Sequence, residues 1–150
     1  MDRVYKHYND CLFSNLCNIR GGINMSKITF DSVVFDTEEK NFTILDGSVG
    51  TYSYKEIKKC KVLAENAKYR GKSDPFSHVD AVGGYSATPR LIQPNVFVGI
   101  LIEMKDHAKL ALYVSKEETR ENTFQFINDK KEAEKIYALF KKCIQKYGVK

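Results

Sequence analysis

Seven residues near the C-terminus, Ala133, Ile136, Tyr137, Phe140, Cys143, Ile144 and Tyr147, recur at steps of 3, 1, 3, 3, 1 and 3. That spacing lays one apolar stripe along an α-helix. Lys131, Glu134, Ala138, Lys141, Lys142 and Gln145 take the remaining positions. Asp129 with Glu132 three residues on predicts a capping box, and Gly148 stands where a helix stop is expected. Lysines fill the last turns, where the helix dipole favours them. A helix with a single apolar stripe must lie on something apolar, so the upstream residues decide the fold.

Those residues are β in character. From Ser26, "ITFDSVVFD" and "NFTILD" are β-branched and aromatic runs separated by "TEEK", which predicts a hairpin turn. "DGSVG", residues 46–50, is turn punctuation. "TYSYKEIKKCKVLAE" can turn Ile57, Cys60, Val62 and Ala64 inward. Its broken alternation between Ile57 and Cys60 predicts a bulge or turn near Lys58. "VFVGILIEM", residues 96–104, is the most apolar strand and enters the tight turn "KDHA". "KLALYVS" follows, with Leu110, Leu112 and Val114 on one face and Lys109, Ala111 and Tyr113 on the other. "TFQFIN", residues 123–128, reads as a last short strand. No β-α-β alternation occurs, which excludes a Rossmann-like nucleotide fold.

The chain has 150 residues, one domain's worth, with 43% apolar and 29% charged residues. No apolar run approaches the eighteen residues of a membrane helix, and the N-terminus lacks a secretory pattern. A cytoplasmic location is the expectation. Cys11, Cys17, Cys60 and Cys143 show no paired spacing, and His7, Cys11 and Cys17 form no regular ligand set. No metal or other cofactor is expected. The net charge of +5 is spread through alternating lysines and glutamates, unlike the concentrated basic face of a nucleic-acid binder.

Residues 1–24 lack any sustained period and end in "RGGIN" before Met25. Arg-Gly-Gly can be encoded by a purine-rich run about nine nucleotides before an ATG, where a bacterial ribosome-binding site belongs. The expectation is a translated leader over 1–24 and a single domain over 25–150. A short docking helix built on Tyr5, Tyr8, Leu12 and Phe13 is the competing reading.

The strands in sequence, "YSYKEIKKCKVL", a long irregular insert, the "FVGILIEMKD" and "LALYVSKEETR" hairpin and a terminal helix together resemble a bacterial pleckstrin-homology-like (PH-like) domain. The resemblance covers roughly Ser26 to Tyr147. It implies a mainly β (α+β) fold: a strongly bent antiparallel sheet, or partly open barrel, of about seven strands capped by one C-terminal α-helix. It also implies a binding or interaction scaffold rather than an enzyme. Lipid-binding members hold phosphoinositide head groups with basic residues around the first hairpin. Here that turn is "DTEEK", three acidic side chains to one lysine, which argues against phosphoinositide.

The insert, residues 66–95, carries the candidate sites. Gly83-Gly84 reads as a turn between "HVDAV" and "YSATPRLI", because no helix opens there and neither phosphate-loop spacing is present. His78 with Asp80 could pair an imidazole and a carboxylate. Ser77 and Ser86 are nucleophiles by proximity alone, and no G-x-S-x-G supports them. Catalysis is not expected. The first expectation is an interaction module of unknown protein partner, which could be a second copy meeting it at Phe76, Val82 and Tyr85. The alternative for those side chains is packing on the domain's own strands. The second expectation is an anionic ligand or membrane surface held by Lys68, Arg70, Lys72 and Arg90 at the insert's base.

Overall fold

The structure, a computed structural model, describes residues 26–72, 74–80 and 94–148. Among the described residues, eight strands form two antiparallel sheets. The first holds β1 (Lys27–Thr29), β2 (Val33–Asp36), β3 (Asn41–Ile44) and β4 (Gly50–Ser53) in sequence order. The second holds β5 (Ile57–Asn66), β6 (Val79–Asp80), β7 (Val96–Met104) and β8 (Lys109–Tyr113) in the order β6-β5-β7-β8. One helix, α1 (Phe124–Tyr147), ends the fold. The expected mainly β architecture with a terminal helix is what is observed, and the sheets do not close into a barrel. The strand count exceeds seven by the two-residue β6.

Local chemistry accounts for these elements. The β2–β3 hairpin turns at residues 37–40, where Asp36 Oδ1 accepts from the amides of Glu38 and Glu39, both at 3.0 Å. The run "ITFDSVVFD" is not one strand. It folds back at Phe30–Ser32, where the Phe30 amide bonds the Val33 carbonyl at 2.8 Å, so β1 pairs with β2. The expected bulge appears as a register shift between Ile57 and Lys59. Lys58 and Lys59 then both reach Glu103, at 3.2 and 3.0 Å. Hydrogen bonds from Lys59 first, then Lys58, hold that carboxyl below the usual range.

The helix corrects two expectations. It begins at Phe124, with Thr123 as N-cap and its Oγ1 accepting from the Phe126 amide at 3.2 Å. "TFQFIN" is therefore its cap and first turn rather than a strand, and Asp129 is internal. Phe126 lies seven residues before Ala133 and extends the same buried stripe, which outweighs the strand-like alternation. Asp129 instead accepts from Ser115 Oγ at 2.7 Å, and that oxygen accepts from the Val98 amide at 2.9 Å. Gly148 caps the C-terminus, its N–H bonding the Ile144 carbonyl.

The stripe fills the space between the sheets. The Phe140 ring meets Phe35 edge-on at 4.9 Å and Phe42 at 5.0 Å, joining helix and first sheet. Ile100, Ile102 and Leu112 from the second sheet belong to the same fully buried cluster. Cys60 and Cys143 pack there as small core residues, as expected. Beyond this shared core, the loop after β3 stitches the sheets together. Gly47 bridges Leu112, the Ser48 amide bonds the Ala111 carbonyl at 2.8 Å, and Tyr113 N–H bonds the Asp46 carbonyl at 3.1 Å. Gly47 has φ +116°, and a Cβ there would run into the Ala111 carbonyl, so glycine is what lets this loop reach β8.

Candidate functional site

Strand alternation sends every second residue of the second sheet away from the core. Leu63, Phe97, Leu101, Ala111 and Tyr113 point outward in this way, and they would make an apolar face on a bare sheet. The insert covers part of it. After β5 the chain enters a short 3-10 turn, Ala67–Tyr69, capped by Asn66 Oδ1 accepting from the Lys68 amide at 3.1 Å. It returns to β6, where Glu65 pairs with Val79 and Ala64 with Asp80.

Phe76 plugs this face. It is 5% exposed and its ring lies 5.5 Å from Tyr113. Gly99 makes room for it, since a Cβ there would come within 2.8 Å of the Phe76 ring and would also strike the Leu112 carbonyl. Phe76 thus packs on its own sheet within the single chain. A side chain buried in this way offers nothing to a second copy unless the insert moves. Val82 and Tyr85 lie outside the described residues.

Glu65 sits beneath the plug. It is fully buried, with Oε2 accepting from the Phe76 amide at 2.7 Å and from the Tyr113 hydroxyl at 3.3 Å. Its other oxygen, Oε1, is buried with no hydrogen-bond partner among the described residues. Burial first, then the Glu65 charge, pushes the Tyr113 phenol up to about 12. Arg70 lies over the rings of Phe97 and Tyr113, at 4.2 and 4.4 Å, and its Nη2 bonds Asp46 Oδ1 at 2.6 Å.

These contacts and their costs about balance. A bare buried carboxylate oxygen costs about 1–3 kcal/mol, and holding Phe76 at φ +52° costs about 1–2 kcal/mol. Burying the Phe76 ring returns about 1.5–3 kcal/mol. The cation–π contacts add about 0.5–2 kcal/mol and the partly buried Arg70–Asp46 pair up to about 1 kcal/mol.

The remaining candidates distribute as follows. Lys68 and Lys72 are exposed on the insert, Arg70 is turned onto the rings, and Arg90 lies outside the described residues. The His78 ring stacks on Tyr69 at 3.8 Å, and its Nδ1 lies 3.0 Å from Ser77 Oγ. Ser86 lies outside the described residues. His107 occupies the β7–β8 turn at φ +70°. Among the described residues no group of His, Cys, Asp or Glu is arranged to hold a metal, and no helix is long and apolar enough to cross a membrane. Sequence reasoning missed Glu65, Asp46 and Gly99. On α1, Phe124 is 89% exposed, and Ile127, one turn on, is 42% exposed.

No family model, curated protein or solved structure matches this chain.

Proposed function

We propose that the chain is a non-enzymatic PH-like interaction module that takes a protein partner. The observation that carries this reading is how the interior is used. Strands in sequence followed by one C-terminal helix is the element order that the PH-like resemblance implies, and here the stripe of that helix occupies the space between two sheets. With Phe35, Phe42, Tyr54 and Phe140 filling that space, the work of the molecule falls to its outside. The outside carries large apolar side chains at Phe124 and Ile127, which a contact with a second copy would cover.

The anion-binding reading is weaker on one specific point. Arg70, the central member of the basic set, has its guanidinium committed to Asp46 and two aromatic faces. Co-sedimentation of the full chain with phosphatidylcholine–phosphatidylserine vesicles separates the readings. The interaction-module reading expects the protein in the supernatant even at low salt. Pelleting that weakens with salt and is lost in a Lys68→Glu, Lys72→Glu variant would replace it with the anion-binding reading.

A further inference from the structure

We infer that the described residues of 67–80 form a latched strap, a conformational device that swings off the second sheet as one unit while the core stays folded. Glu65 is the latch and Arg70 the clasp. The inference stands apart from the partner the module takes.

Three observations lead to it. The first is that the strap's two limbs are tied to each other. The Tyr69 ring of the first limb stacks on His78 of the second at 3.8 Å, and each limb is closed by its own turn, the Lys72 amide bonding the Tyr69 carbonyl and the Ser77 amide the Asp74 carbonyl, both at 3.1 Å. A segment held together internally moves together. The second is where its described contacts with the sheet fall. They include the Phe76 plug and amide on Glu65, the Arg70 side chain on Phe97, Tyr113 and Asp46, and the two-residue pairing of β6 with β5. At the hinge, the Asn66 amide bonds the His78 carbonyl at 3.0 Å and the Ala67 amide bonds the Asn95 carbonyl at 2.8 Å.

The third observation sets the balance. Two costs exist in the closed arrangement and are released on opening. Glu65 Oε1 is buried with no hydrogen-bond partner among the described residues, and water would reach it once Phe76 lifts. Phe76 holds φ +52°, a conformation that a freed residue would leave. Opening uncovers Phe97, Tyr113 and Ala111, an apolar face that the closed molecule hides. The core shared by both sheets and α1 includes neither Phe76 nor Tyr113, so it loses nothing directly when the strap departs.

Amide hydrogen exchange read by mass spectrometry on the full chain tests this. In the wild type, strap peptides should exchange at least tenfold faster than peptides from β7 and from α1. Arg70→Ala, a change at a partly buried side chain outside the shared core, should speed strap exchange severalfold further and leave α1 unchanged. Glu65→Ala should do the same more strongly. Strap exchange as slow as that of β7 in the wild type would overturn the proposal. So would an Arg70→Ala variant whose strap is unchanged, or one in which strap and α1 accelerate together.

Discussion

Burial pushes the Cys60 thiol up to about 12 and the Cys143 thiol up to about 11, so neither carries appreciable thiolate at neutral pH. Both are expected to resist iodoacetamide in the native protein and to react fully once it is unfolded in urea. Rapid native labelling of either would show that the core around α1 is not closed. The same burial has a consequence for pH. The folded chain holds these protons, and that of Tyr113, more tightly than the unfolded chain, whose thiols and phenols titrate near 9.0 and 10.0. The stability that these three groups contribute is therefore fully present below about pH 9 and lost as pH climbs through about 11 to 12. Urea midpoints should fall between about pH 8 and pH 11, and equal midpoints would contradict the burial of all three groups. At Gly99, substitution by alanine drives a methyl group into the Leu112 carbonyl and the Phe76 ring. A loss of about 1–3 kcal/mol is expected, measured by urea denaturation.

At the scale of elements, α1 is the part most open to reading. Its stripe from Ala133 to Tyr147 is written in the spacing, and its stop at Gly148 is where a stop was expected. Its start was hidden because Phe124 and Phe126 alternate as strand residues do, although only Phe126 is buried. Thr123 was legible as a cap only once Phe126 was joined to the stripe. Thr123→Ala should cost about 1 kcal/mol through the lost Phe126 amide bond. Phe140→Ala, at the contact with Phe35 and Phe42, should cost about 3–5 kcal/mol. Similar losses from the two changes, by urea denaturation, would mean that α1 does not hold the sheets together. The β1–β2 turn escaped notice because strongly β-forming residues flank Asp31-Ser32 on both sides. The β5 bulge was legible from a break in alternation, a purely local property.

The whole molecule depends on contacts that no local pattern carries. Glu65 follows Ala64 on β5, and strict alternation puts it on the side of the sheet that usually meets solvent. It is buried because a segment eleven residues later folds over it, and nothing around Glu65 in the sequence announces that. The joint between the sheets is similar, since "DGSVG" reads as a turn and only the fold brings Gly47 against Leu112. The Arg70 clasp needs both, as Asp46 comes from the joint and Tyr113 from the covered face. The functional account rests on a filled interior and an outside that carries the contact surface. Size-exclusion chromatography with light scattering, run across a concentration series, tests it most directly on the full chain and on a Phe124→Ser, Ile127→Ser variant. The account predicts a wild-type mass that rises above the 17.2 kDa of one chain with concentration, and a variant that stays at one chain. A wild type that stays at 17.2 kDa throughout, or a variant that associates equally well, would contradict it.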